Sequence, residues 1–166
     1  MASKASFTAE EWKLLLESPM LSAMAVTAAE PSGLWGMVKE GFAASGALAG
    51  GKADAVSSEL IKTVVADYET SEGRTVARDG LKEKLAGSKP AEIKVKAIDS
   101  LRQVSALLDR KAPEDAAAFK AWLSGIARRV AEAAKEGGFL GFGGVQVSEA
   151  EKATLSEISA ALNLTA

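Results

Sequence analysis

Residues 93–108 read IKVKAIDSLRQVSALL, and their apolar members Ile93, Ala97, Leu101, Val104 and Leu108 advance in steps of four or three. That spacing follows the turn of an α-helix. It lays one apolar face against a neighbour and leaves Lys94, Lys96, Arg102 and Arg110 for water. Pro90 fits the first turn of this helix, where the N–H it lacks has no intrahelical partner in any case. Downstream, Pro113-Glu114-Asp115 opens a long helix with acids at its positive dipole end, and Gly137-Gly138 closes it.

The same punctuation recurs in both directions. Thr8-Ala9-Glu10-Glu11 is a capping box, in which hydroxyl and carboxylate satisfy reciprocal backbone N–H groups, and Phe7 and Trp12 are placed to form its hydrophobic staple. Ser18-Pro19 reads as an N-cap and first helical position. It therefore restarts the chain as a second helix lasting to about Ala29, where Pro31-Ser32-Gly33 interrupts it. A Gly-containing helix is expected over residues 34–48, followed by a flexible connection at Gly50-Gly51. From Ser57 or Ser58 the apolar set Leu60, Ile61, Val64 and Val65 repeats at helical spacing, and the polar stretch 69–73 ends that helix. The next is expected over residues 75–86, closed by Gly87.

A second capping box, Ser148-Glu149-Ala150-Glu151, starts the last helix, with Leu155, Ile158 and Leu162 inward. Val145–Val147 is the one short extended piece. Alanine occurs 33 times, and it has the best intrinsic helix propensity because ordering its side chain costs no entropy. These signals predict an all-α chain: one domain over residues 1–166, a bundle of seven or eight helices with short loops, and a disordered tail at residues 1–6.

Composition narrows the chemistry. With no Cys and no His among 166 residues, the chain lacks thiol nucleophiles, cysteine-based zinc or iron–sulfur ligation, and the usual general base and haem ligand. Neither G-x-S-x-G nor S-x-x-K occurs, so no catalytic residue is named and no enzyme is expected. Lys and Arg number 20 against 22 Asp and Glu, without the basic excess of a nucleic-acid binder. The local cluster Arg74, Arg78, Lys82 and Lys84 is interleaved with Glu72, Asp79 and Glu83, which reads as a solvated face with internal ion pairs. The start, MASKASFTAEE, turns acidic where a secretory leader needs an apolar run, and no uncharged run reaches bilayer length. A cytoplasmic location is expected.

Residues 28–37 and 133–142 align without a gap as Ala-Ala, three residues, Gly, two bulky apolars, Gly and one bulky apolar. Each follows an apolar helix, which suggests two related helix–turn–helix halves. With these residues the chain resembles the tellurite-resistance TerB-like family and its DjlA-type relatives, over about a third of its length. The pattern there is an Ala-rich helix, an Ala-Asp-Gly turn, then Ser or Thr, two residues, Glu, and a Leu/Ile-periodic helix. Here it is met by Ala133, Ala134, Glu136-Gly137, Ser148, Glu151, Leu155, Ile158 and Leu162-Asn163-Leu164. Glu136 stands in place of the Asp, and the Gly-rich stretch 138–144 precedes the capping box. The resemblance implies an all-helical fold and binding of Ca2+ or Mg2+ by acids at the repeated turns, which carries over to Glu30, Glu40, Glu136 and Glu151. A structural account stands beside it: the capping box explains Glu151, and helix ends explain Glu30 and Glu136.

Residues 137–144, GGFLGFGG, lack the preceding strand and the Gly-Lys-Ser/Thr ending of a phosphate loop. Their five glycines are costly to order, while Phe139, Leu140 and Phe142 are unfavourable in water, so the loop must pack inward or meet something. Trp12, Trp35, Trp122, Met20 and Met24 lie at helical spacing and are expected in the core. The leading functional expectation is a noncatalytic module that docks a protein partner or itself through Leu34, Trp35, Phe139, Leu140 and Phe142. The metal-binding TerB-like domain is the second. Peripheral membrane attachment through the same apolar turns is the third, with few nearby cations to draw anionic lipid.

Overall fold

The computed structural model describes residues 2–29, 58–136 and 149–164. Among these residues a 3-10 turn at Lys4–Ser6 is followed by six α-helices: α1 (Ala9–Ala28), α2 (Glu59–Glu69), α3 (Ser71–Leu85), α4 (Pro90–Lys111), α5 (Pro113–Glu136) and α6 (Glu149–Ala161). No strand occurs among the described residues. The expected helix over 34–48, the extended piece at 145–147 and Ser148 lie outside them. The first six residues, expected as a tail, include the 3-10 turn, and Lys4 Nζ reaches Asp67 of α2 at 2.9 Å.

The expected caps form at the start of the first helix and at several later helix ends. Thr8 Oγ1 accepts the Glu11 N–H at 3.2 Å while Glu11 Oε2 accepts the Thr8 N–H at 2.8 Å. The Phe7 and Trp12 rings meet at 5.9 Å, as the staple requires. Ser58 caps α2, accepting the Ile61 N–H at 3.3 Å. Gly87 ends α3 with φ +68°, and Pro90 opens α4. α6 closes with Asn163 at φ 53° and the Leu164 N–H on the Ser159 carbonyl at 2.9 Å, the Schellman arrangement.

Two sequence expectations are corrected. Ser18-Pro19 does not divide the first helix: Ala9–Ala28 is continuous with Pro19 inside it. Proline has no N–H to give to the carbonyl four residues back, which is that of Leu15. The Ser18 hydroxyl donates to the Leu15 carbonyl at 2.7 Å instead, in a buried position, so the vacated acceptor is satisfied from one residue earlier. The second correction is at residues 69–73. Only Thr70 separates α2 from α3, which begins at Ser71 rather than Thr75. Thr70 Oγ1 donates to the Asp67 carbonyl at 2.6 Å and accepts the Gly73 N–H at 2.9 Å, ending one helix and capping the next. The corner is so tight that a Cβ on Gly73 would stand 2.0 Å from the Asp67 carbonyl oxygen.

α4 carries the apolar stripe, and Ile93, Ala97, Leu101, Val104 and Leu108 are all buried. It packs against α1, α5 and α6, while α1 also meets α3 and α5. The core joins Leu15, Leu16 and Leu21 of α1 to Leu101 and Leu108 of α4, Phe119, Leu123 and Ile126 of α5, and Ile158 of α6. Trp12 is buried; Trp122, Met20 and Met24 are partly buried against the same core.

Ion pairs and one side-chain hydrogen bond reveal the helix directions. Glu11, early in α1, meets Arg110 and Lys111 at the end of α4, so these two helices run antiparallel. Lys120 of α5 reaches Asp109 of α4 at 2.6 Å across the turn at Ala112, so α5 returns along α4, parallel to α1. Glu157 meets Lys94 while Asn163 meets Ser105, so α6 runs parallel to α4. Ala29, Pro90, Glu136 and Glu149 therefore share one end of the bundle. Thr8, Lys111 and Pro113 share the other.

Candidate functional site

Of the residues singled out from sequence, Glu30, Glu40, Leu34, Trp35, Phe139, Leu140 and Phe142 lie outside the described residues. Glu136 is the last residue of α5, and Glu151 stands in the first turn of α6, buried to 5 % exposure and with an interaction partner of its own. Both belong to helix termini at the same end of the bundle. Among the described residues no group of three or more acids is arranged to hold a metal ion. No described helix is long and apolar enough to cross a membrane.

A cleft of about 510 Å3 opens where α1 passes α3 and the middle of α4. Its floor is Glu17, which sequence reasoning did not single out. Glu17 is only 1 % exposed, and its partner comes from the neighbouring helix: Oε2 accepts from Lys84 Nζ of α3 at 2.5 Å. The other oxygen, Oε1, is buried and meets no hydrogen-bond donor among the described residues. Leaving a buried acceptor so costs about 1–3 kcal/mol, and more when the group is charged. The reason a carboxylate fits there is Gly80 of α3, where a Cβ would stand 2.0 Å from Glu17 Oε1. A glycine inside a helix costs roughly 1 kcal/mol against alanine, so two local costs fall at one place.

The cleft's outer edge is charged. The stem of Lys13 lies across Gly80, its Cε 2.5 Å from where that Cβ would be. Its ammonium is held loosely, 3.4 Å from Glu83 and 3.7 Å from Glu10. Burial pushes the Lys13 ammonium down, but Glu10 and Glu83 outweigh it and hold its affinity for the proton above the ordinary lysine value. Leu14 supplies an apolar wall and Gln103 of α4 an amide. Of the basic cluster read from sequence, Arg78 pairs with Asp79 at 3.2 Å as expected for a solvated face, whereas Lys84 leaves that face for Glu17.

Glu11 adjoins this cleft but is fully engaged. The Lys111 ammonium at 2.6 Å, together with the Thr8 backbone N–H, holds its carboxyl down at about 2. On the far side of α1, burial pushes the Asp67 carboxyl up. Hydrogen bonds from Lys4 at 2.9 Å and the Trp12 indole at 2.6 Å outweigh it, so the net shift is downward. These groups tie the chain's first turn, α1, α2 and α4 together and are structural.

Glu17 was hidden from sequence reasoning because a glutamate in a helix ordinarily faces water. One signal existed: Glu17 stands one turn before Leu21 in the run Leu14-Leu15-Leu16-Glu17-Ser18, where little polar face is left. Compared with protein-family models, with curated proteins and with solved structures, the chain matches none.

Proposed function

We propose that this chain is a noncatalytic helical interaction or assembly module that docks a protein partner, or a second copy of itself, at one end of its bundle. The observation that carries the reading is the placement of Ala29 and Glu136 at the same end. The two Gly-aromatic turns follow directly, so Leu34 and Trp35 on one side and Phe139, Leu140 and Phe142 on the other are tethered within about six residues of that end, roughly 20 Å of extended chain. Aromatic anchors carry a disproportionate share of interface energy where a partner buries them. The same placement supports reading the repeated turn as the trace of two related helix–turn–helix halves.

The test is the double substitution Phe139→Ala and Phe142→Ala. Under this reading the melting temperature stays within about 2 °C and self-association, or crosslinking to a partner recovered with the wild type, is lost. A protein that unfolds places the rings in the core instead, and one that folds and keeps every association removes the proposal.

A metal-binding module of the TerB-like kind is the second reading, favoured by the position of Glu136 and Glu151 at that same end, with Glu30 immediately beyond Ala29 and Glu40 further along. It requires that millimolar Ca2+ or Mg2+ raise the melting temperature by mass action and that Glu136→Gln with Glu151→Gln abolish the rise. An unchanged melting temperature in the wild type rejects it.

A further inference from the structure

We propose that the cleft between α1 and α3 is a binding site for an alkylammonium group, with Glu17 at its floor as the acceptor. The inference stands apart from the docking end described above. Glu17 Oε1 is a buried carboxylate oxygen with no hydrogen-bond donor among the described residues, and Glu17 lines a cleft of about 510 Å3, ample for an unbranched diamine. A native fold keeps such an atom when a ligand, ion or water meets it.

The protein's own Lys13 indicates the shape of the ligand. Its methylene stem crosses the bare backbone of Gly80, and its ammonium sits between Glu83 and Glu10 at distances too long for good hydrogen bonds. Lys13 is thus an alkylammonium resting over the floor without reaching Oε1. An incoming chain that displaces it lays its methylenes against Gly80 and Leu14. It donates one ammonium to Glu17 Oε1 and offers a second to Glu10 and Glu83 at the rim. The recognised chemistry is a primary ammonium on a linear alkyl chain, either a free diamine or the lysine side chain of a peptide.

The experiment titrates the intact chain with 1,4-diaminobutane at low ionic strength, following backbone amide resonances. Saturable shifts confined to the cleft, at Lys13, Glu17, Gly80, Glu83 and Lys84, are expected, and 1,4-butanediol, equal in length but uncharged, should give none. Glu17→Gln should weaken binding by about tenfold or more, because a charge-assisted hydrogen bond is lost. Should that variant not fold, Lys13→Ala decides: removing the competing ammonium should tighten binding by about threefold. Lys62→Ala, which removes the same charge on α2, should leave binding unchanged. A blocked single-lysine peptide that binds more tightly than the diamine assigns the site to a protein lysine; weaker binding assigns it to a free diamine. The proposal is overturned by an absence of saturable shifts up to on the order of 10 mM, by equal shifts with the diol, or by identical affinities of the Lys13 and Lys62 variants.

Discussion

At the residue scale, Ser18 and Pro19 act as a unit. The hydroxyl supplies the donor that the proline withholds from Leu15, so Ser18→Ala should strand a buried carbonyl and lower stability by about 1–3 kcal/mol. In a Pro19→Ala background the backbone N–H returns, and the same serine substitution should cost almost nothing. Urea-denaturation midpoints of the four proteins measure that coupling, and additive effects would dismiss the repair. Glu11 gives a second prediction. Its carboxyl is held at about 2 in the folded chain, below the ordinary value of about 4.3 in an unfolded one. The stability it contributes is therefore complete above that ordinary value and disappears as pH falls through the folded one. The midpoint should drop between about pH 5 and pH 2, and Glu11→Gln should flatten that stretch of the profile. Asp67, also shifted down, adds to the fall in the same direction.

At the element scale, two opposing effects meet at Gly73. Alanine is better than glycine in a helix by about 1 kcal/mol, which argues for a gain on Gly73→Ala. The new Cβ would, however, stand 2.0 Å from the Asp67 carbonyl oxygen. That atom is backbone and cannot rotate away, so the steric term should win and the variant should melt at a lower temperature. A higher melting temperature would show that the α2–α3 corner yields easily. The corner also shows where sequence reading stops. Thr8, Ser58, Gly87, Pro90 and Pro113 were legible as punctuation because each acts on its own backbone or on that of the next turn. Thr70 was not, since one threonine ending a helix and starting another leaves no polar loop to notice. Pro19 misled for a related reason: its usual meaning holds unless a neighbour replaces the missing donor.

At the scale of the whole molecule, α4 runs through the middle of the described bundle and touches α1, α5 and α6 along its length. The amides of Leu101, Val104 and Leu108 should consequently exchange with solvent only through global unfolding, while those of α2, which lies to one side, should open earlier. Equal protection in both helices, measured by hydrogen exchange, would contradict this. The stripe that made α4 readable is the centre of the core, which is why the all-helical class could be read from the chain. The cleft could not, because it depends on Glu17 and Gly80 meeting across more than sixty residues of sequence, and neither carries a local mark of the other.

The serine–proline pair also orders the way this chain can change over generations. A lineage that loses the hydroxyl first passes through a weakened intermediate, whereas one that loses the proline first keeps an intact ladder and can then discard the serine freely. Relatives carrying Ser18 without Pro19 are therefore expected, and relatives carrying Pro19 without a hydroxyl before it should be rare.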